Sequence, residues 1–309
     1  MADRYYSNEA EALLHDSHTL ELDDVHCAGG LRTDLINKKV QEIPCLAFGK
    51  KAMSFLKDES FVASLFKRKR GENSDRRQPS RRGAKTNKIW LPHLLQIVTF
   101  SMLIAVASSD FKGLATYFAV PKSAPLNVTP KARAIFNGKK LGKTMQPPPP
   151  CNFITHRELI RETQNIKGAA SILVADWRHF FHQHPLSEKV SSFFCISAVV
   201  DGIVRFWRWA TLPMGIPWAP FCAQTCSVAM IVMIYDADGG EWPFVLDRNE
   251  VLEQLPSRLQ YKTGGFATVY LDNLIAIGTE ENISRLEKGK KMLEDELKLT
   301  IKEWAVYHA

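Results

Sequence analysis

The chain has 309 residues, of which 45% are hydrophobic and 24% are charged, an ordinary globular composition that excludes a chain too polar to bury a core and allows one or two domains. Its six cysteines form no repeated C-x-x-C pair and no apolar leader follows Met1, which favours a reducing compartment, the nucleus or the cytoplasm, over secretion. The formal net charge is +7, and most of this excess lies in one segment.

Residues 1–66 show no pattern that predicts a role, and the basic segment at 67–88 follows them. It carries ten Lys and Arg residues against Glu72 and Asp75, so it cannot bury enough apolar surface to fold. This composition predicts a disordered linker that binds nucleic acid or directs nuclear import, with a merely solvated linker as the alternative. The residues expected to contact nucleic acid are Lys67, Arg68, Lys69, Arg70, Arg76, Arg77, Arg81 and Arg82.

The next stretch, IWLPHLLQIVTFSMLIAVA (89–107), is apolar and long enough to be tested as a membrane span. Pro92, His93 and Gln96 count against a span, so we expect a buried helix that leads into the following domain. A membrane anchor with the basic flank on the cytoplasmic side is the less favoured alternative.

From Phe111 onward, strand-like and helix-like segments alternate. In ITHRE, Thr155 and Glu158 have the spacing of a capping box, which predicts the start of a helix. SILVADW (171–177) then reads as a buried strand that ends in Asp176. A carboxylate at that position is unfavourable unless it is exposed, paired or functional.

Two runs rich in β-branched and aromatic residues flank Asp201 and Gly202, which predicts a two-residue hairpin. The hairpin leads to LPMGIPWAPFCAQTCSVAMIVMIY, where a Pro and Gly turn precedes a long apolar helix. TVYLDNLIAIG (268–278) reads as a second hairpin with Asp272 and Asn273 at its turn. Both residue types suit turns, so the turn alone is a sufficient explanation, and a metal site is the alternative. A helix with apolar positions at 283, 286, 293 and 297 and the strand KLTIKEW follow.

In this order, the segments resemble the fingers and palm of a reverse transcriptase, over about residues 115 to 304. YFAVPKS and KARAIFN resemble the two fingers segments, VADWRHFFHQHPL resembles the first palm motif, and LPMGIPWAPFCAQ resembles the LPxG…P…Q segment. YLDN occupies the place of Tyr-x-Asp-Asp. FHQHPL and LPMG are nearest to long-terminal-repeat and tyrosine-recombinase retrotransposons, including the VIPER-like elements of trypanosomatids.

The resemblance implies an α+β fold over residues 89–309: a right-hand polymerase palm, made of an antiparallel sheet with packed helices, plus fingers. The chain stops soon after the palm, so we expect the thumb to be absent. The implied activity is RNA-directed DNA synthesis with two Mg²⁺ ions, which Mn²⁺ could replace. The implied catalytic residues are Asp176 and Asp272, and the Trp177 carbonyl and Asn273 complete the implied metal ligands.

The same resemblance implies contacts to the incoming nucleotide. Lys122 and Arg133 would bind the triphosphate, although two surface bases would be the explanation without the ordered motifs. Phe181 would lie under the sugar and exclude a ribose 2′-hydroxyl. The remaining implied nucleotide-binding positions are Met214, Gly215 and Gln224.

Asn273 stands where the family has an acid, which predicts a weakened polymerase. The implied partners are an RNA template, a DNA primer, deoxynucleoside triphosphates and a separate chain that supplies a thumb or a ribonuclease H domain. Two alternatives remain: an inactive retroelement remnant that binds nucleic acid, and a protein anchored in a membrane through 89–107.

Overall fold

The computed structural model describes residues 27–66, 102–107, 110–121, 132–166, 170–200 and 203–308. These residues combine α-helices with two largely antiparallel sheets, in agreement with the predicted α+β class. The strands in chain order are β1 (Leu103–Val106), β2 (Leu114–Pro121), β3 (Ala132–Asn137), β4 (Ser171–Trp177), β5 (Cys195–Val200), β6 (Ile203–Trp209), β7 (Leu259–Gln260), β8 (Phe266–Tyr270), β9 (Asn273–Gly278) and β10 (Ile301–His308). The helices are α1 (Thr33–Glu42), α2 (Lys50–Lys57), α3 (Glu59–Leu65), α4 (Lys139–Thr144), α5 (His156–Gln164), α6 (Phe180–Gln183), α7 (Glu188–Ser191), α8 (Trp218–Ala237) and α9 (Glu280–Asp295).

The first sheet has the strand order β1-β6-β5-β2-β3. Its strand pairs are antiparallel except for β2 and β5, which run parallel. Val200 lies opposite Ile203, so β5 and β6 form the predicted hairpin. Its turn residues, Asp201 and Gly202, lie outside the described residues.

The second sheet has the order β10-β4-β9-β8-β7, and all of its pairs are antiparallel. Alternate residues of β4 and β9 are fully buried in the hydrophobic core, including Leu173, Ala175, Leu274 and Ala276. Strand side chains alternate between the two faces, so the neighbours of these residues lie on the opposite face of the sheet. That second face carries the candidate site.

Helix α8 is the centre of the core, because nearly all of its residues are buried. It is the helix within the described ranges that is long and apolar enough to cross a membrane by length and composition. Within the protein, 94% of its most apolar stretch is buried. A helix that is apolar on all sides fits a position surrounded by other elements, and this environment accounts for its composition.

Residues 27–66 pack onto α8 and share its hydrophobic core. Ile36 of α1 and Phe55 of α2 are fully buried. Asp236 of α8, with a side chain 9% exposed, accepts hydrogen bonds from Lys39 at 3.0 Å and from Arg248. The described part of the N-terminal region therefore shares one hydrophobic core with the sheets.

The prediction of a helix over 89–107 is wrong for the C-terminal end of that segment. Leu103–Val106 is strand β1, with Leu103 opposite Trp209 of β6. Pairing with β6 fixes an extended backbone that apolar composition alone does not specify. Residues 89–101 lie outside the described residues, as does the basic segment 67–88.

Other local predictions are confirmed. Helix α5 begins with a complete capping box, in which the Thr155 hydroxyl accepts from the Glu158 amide and the Glu158 carboxylate accepts from the Thr155 amide at 2.8 Å. Ile283, Leu286 and Leu293 form the buried face of α9. The fourth predicted position, 297, is also buried, just beyond the end of that helix.

Candidate active site

Asp176 occupies the last outward-facing position of β4. Its neighbours Ala175 and Trp177 point into the core and are fully buried, whereas the Asp176 side chain is 22% exposed. The alternation of strand side chains thus carries a carboxylate onto the open face at the end of a buried strand. The sequence predicted the buried strand that ends in Asp176, and the structure adds that the side chain lies on the face opposite the core.

Asp272 lies in the tight turn between β8 and β9. Tyr270 and Asn273 are opposite each other, so Leu271 and Asp272 are the two turn residues. The sequence placed Asp272 and Asn273 together at the turn. The structure corrects this by one residue, because Asn273 already pairs with β8 and begins β9.

The fold brings the two predicted carboxylates to one place. Asp176 lies directly opposite Asn273 in the β4–β9 ladder, and the Trp177 amide donates a hydrogen bond of 2.7 Å to the Asp272 carbonyl. The turn is therefore attached to the end of β4. Asp176 and Asp272 are far apart in the sequence, and the antiparallel pairing of β4 with β9 brings them close together.

Lys302 is a neighbour of this site that the motifs did not indicate. The register between β10 and β4 shifts between Ile301 and Glu303, which leaves Lys302 as the extra residue of a β-bulge. Its ammonium donates a hydrogen bond of 2.5 Å to the Asp176 carboxylate, which raises the pKa of Lys302. The negative charges of Glu303 and Asp272 add to this effect. Glu303 is the cross-strand partner of Asp176, so several charged side chains converge here.

The donor atoms at this site fit a hard divalent cation such as Mg²⁺. Carboxylate oxygens come from Asp176 and Asp272, and the cationic Lys302 beside them already shows that the site attracts positive charge. The Asn273 amide donates to an Asp272 carboxylate oxygen at 3.0 Å, so Asn273 holds the turn acid while adding no charge. Among the described residues, no group of three or more His, Cys, Asp or Glu side chains is arranged to hold a metal ion. A metal at this site would depend on two acids, on the Trp177 carbonyl and on oxygens from substrate.

Phe181 lies in the short helix α6, and Arg178 and His179 separate this helix from the end of β4. His179, with a φ of 48°, turns the chain between Asp176 and this helix. The Phe181 side chain is half-buried and packs against the core. The helix fixes the ring at a short distance along the chain from Asp176, while the predicted contact to a sugar stays a prediction.

The LPMG turn packs against the end of β3. Gly215 has a φ of 108°, and a Cβ there would lie 2.3 Å from the Phe136 carbonyl oxygen, so the turn accepts only glycine. A Cβ on Gly138 would in turn meet the Gly215 carbonyl at 2.9 Å. Met214 is half-buried and Gly215 is exposed. This contact joins the predicted nucleotide-binding turn to the strand that carries Arg133.

Gln224 is fully buried on α8, and both ends of its amide are bonded to the β8–β9 hairpin. Through its hydrogen bonds to Val269 and Leu271, Gln224 fixes the hairpin to α8. The predicted contact of Gln224 to a nucleotide stays a prediction. The signal for this role was visible in CAQTCS, where polar residues interrupt an otherwise apolar helix.

Two groups of predicted residues cannot be placed by their side chains. Lys122 lies outside the described residues, and so do all the basic positions predicted between 67 and 82. Arg133 is described as part of the β3 backbone, where it lies opposite Val120 of β2. Lys122 directly follows β2 in the sequence, and β2 pairs with β3, the strand that contains Arg133.

No protein-family model matches the chain, and no curated protein is similar enough to it to indicate a family.

Proposed function

We propose that this chain is an RNA-directed DNA polymerase of a retrotransposon, with the second sheet as its palm and the first sheet as part of its fingers. The reaction would transfer a nucleotide from a deoxynucleoside triphosphate to the 3′ end of a DNA primer on an RNA template. The nucleus or the cytoplasm is the proposed location.

The observation that carries the proposal is the attachment of the Asp272 turn to the end of β4. Asp176 faces Asn273 across the ladder, and the Trp177 amide binds the Asp272 carbonyl. Turn geometry alone explains an aspartate in the hairpin, but it does not explain why this turn lies beside a second carboxylate. Two carboxylates held together in this way could bind the pair of divalent ions that nucleotidyl transfer uses.

Each residue then has a defined task. Asp176 and Asp272 would hold two divalent ions, Mg²⁺ or Mn²⁺, which activate the primer oxygen and neutralise charge on the triphosphate when bound. Arg133 of β3 and Lys122, which follows β2 in the sequence, would bind the triphosphate oxygens through charge-assisted hydrogen bonds. Phe181 would exclude the ribose 2′-hydroxyl by steric contact. Met214 and Gly215 would support the nucleotide from the turn that packs on β3.

A second candidate is an inactive remnant that binds nucleic acid. Two observations favour it: Lys302 neutralises Asp176, and Asn273 brings no charge to the turn. Such a protein would keep the fold and bind RNA or DNA through the basic segment 67–88, with an affinity that falls steeply as salt rises. Deletion of 67–88 would then flatten the salt dependence of binding.

Primer extension on purified protein separates the two candidates. The parent protein, Asp176→Asn and Asp272→Asn are compared with Asp295→Asn, which removes an exposed carboxylate at the end of α9. We expect incorporation by the parent and by Asp295→Asn, and a loss of at least about a thousandfold in the two site variants. Activity that survives in Asp176→Asn contradicts the proposal. A parent that is silent with both Mg²⁺ and Mn²⁺ but still binds RNA favours the remnant.

A further inference from the structure

The turn that carries Asp272 has an unusual backbone. Leu271, the first turn residue, has a φ of 56°, in the left-handed region. Two-residue hairpin turns that need a positive φ usually have Gly, Asn or Asp at that position, because a Cβ crowds the backbone there. A leucine in this conformation persists only where its surroundings determine it.

Two side chains of α8 supply such surroundings. The Gln224 side-chain amide donates to the Val269 carbonyl at 2.7 Å, and its oxygen accepts from the Leu271 amide at 2.8 Å. The Ser227 hydroxyl donates to the Leu271 carbonyl at 2.7 Å. Both polar groups of the Leu271 backbone are therefore held by one helix.

The placement of these two residues is specific within α8. They are three positions apart, which puts them on the same side of the helix, and both are fully buried. Thr225 lies between them in sequence, is equally buried and points toward Gly49 in the N-terminal segment. Its hydroxyl has no hydrogen-bond partner in the described part of the chain. Of these three buried polar side chains, the two that reach the hairpin are the ones that form hydrogen bonds.

We propose that Gln224 and Ser227 are positioning residues, which hold Leu271 in its left-handed conformation and thereby place Asp272 beside Asp176. The relevance of this clamp to catalysis rests on the proposed function. The clamp acts through the backbone: the Asp272 carbonyl, one residue beyond Leu271, accepts the hydrogen bond from the Trp177 amide. If Leu271 left the left-handed region, the direction of the chain into Asp272 would change and this bond would be lost.

The experiment compares Gln224→Leu and Ser227→Ala with Thr225→Val, which removes a buried hydroxyl of the same helix without touching the hairpin. Amide hydrogen exchange is measured by NMR at Leu271 and Trp177, with Val174 in the middle of β4 as the internal reference. Mn²⁺ binding is measured in parallel by electron paramagnetic resonance. Ser227→Thr retains the hydroxyl and serves as the rescue variant.

We expect exchange at Leu271 and Trp177 to rise about tenfold in Gln224→Leu and about fivefold in Ser227→Ala, with Val174 unchanged. Mn²⁺ affinity should fall by a similar factor in both variants, and Thr225→Val and Ser227→Thr should resemble the parent. Unchanged exchange at Leu271 and Trp177 would overturn the clamp. Faster exchange with unaltered Mn²⁺ affinity would overturn its role in positioning Asp272. If the parent binds no Mn²⁺, the proposed function fails, and the exchange comparison still decides the clamp.

Discussion

The Lys302 ammonium and the Asp176 carboxylate form a hydrogen-bonded ion pair, with 2.5 Å between Nζ and Oδ2. The pair exists because the bulge in β10 inserts Lys302 opposite the end of β4. The Lys302 ammonium is thus already bound to Asp176, which is a candidate metal ligand. Any divalent ion that binds Asp176 must compete with this ammonium.

Lys302→Met should therefore increase Mn²⁺ affinity. The pair is partly exposed, and pairs of this kind contribute little free energy, so the expected gain is at most about fivefold. Isothermal titration with Mn²⁺ measures it, and Lys288→Met, which removes an exposed charge on α9, controls for net charge. Equal affinities in the two variants would show that Lys302 does not compete with the metal.

Phe181→Val should relax discrimination against ribonucleotides. The ring is half-buried in α6 and follows Asp176 closely in the chain, so its truncation opens space near the expected sugar position. We expect the ratio of ribonucleotide to deoxynucleotide incorporation to rise at least about tenfold. Phe66→Val, which makes the same change at a partly buried ring far away in sequence, should leave the ratio unaltered. An unchanged ratio in Phe181→Val would remove this residue from the nucleotide site.

Gly215→Ala should destabilise the protein strongly, because the new Cβ would lie 2.3 Å from the Phe136 carbonyl oxygen in addition to requiring a positive φ. We expect a loss of about 2 to 4 kcal/mol in the free energy of unfolding. Gly239→Ala is the matched control, since Gly239 also has a positive φ but open space around its Cα. It should cost about 1 kcal/mol. Urea denaturation measures both, and equal losses would show that the close approach to Phe136 is not limiting.

The elements of the candidate site were predictable where a local pattern defines them. The apolar run SILVADW predicted strand β4 with Asp176 near its end, and the structure confirms that strand. The capping box of α5 was predictable for the same reason, since it involves only four consecutive residues. In both cases the information lies within one segment of the chain.

The remainder depends on contacts between distant segments. The bulge at Lys302 is a property of the register between β10 and β4, which single-strand periodicity does not contain. The packing of residues 27–66 onto α8 and the pairing of β1 with β6 likewise result from tertiary contacts. A polar residue in an apolar helix, such as Gln224, indicates that a buried hydrogen-bond partner exists. Only the fold identifies this partner as the backbone of the hairpin.

The protein should lose stability in mild acid because of His184. Burial lowers the pKa of this imidazole from 6.5 to about 4. Its Nδ1 donates to the Phe180 carbonyl at 2.8 Å, and Nε2 has no partner within the described ranges. At a pH between these two pKa values, His184 is protonated in the unfolded chain and neutral in the folded protein. The free energy of unfolding therefore falls as the pH decreases from 6.5 to 4, by about 3 kcal/mol in total.

Urea denaturation between pH 4.5 and 7.5 tests this, with His184→Gln as the control. Glutamine cannot titrate, so the variant should show a shallower pH dependence, while carboxylates contribute equally to both proteins. Identical slopes would mean that His184 is not the group responsible.

Asn273→Asp should convert the turn into a stronger metal site. Asn273 lies opposite Asp176 and donates its amide hydrogen to Asp272, so it offers an oxygen of similar size without charge. An aspartate there would lose that hydrogen bond and face two carboxylates, and like charges on adjacent strands destabilise a sheet. The variant should therefore have a lower melting temperature than the parent in the presence of a chelator. Added Mg²⁺ should restore more stability to the variant than to the parent, because a ligand that binds only the folded state stabilises it.

In primer extension, a weakened polymerase should gain about thirtyfold to a thousandfold in rate from Asn273→Asp, which corresponds to about 2 to 4 kcal/mol of transition-state stabilisation. Asn273→Leu, which provides no oxygen, serves as the control and should respond to Mg²⁺ less than the parent. A variant that is destabilised without metal and gains nothing from Mg²⁺ would show that Asp176, Asp272 and position 273 do not share an ion.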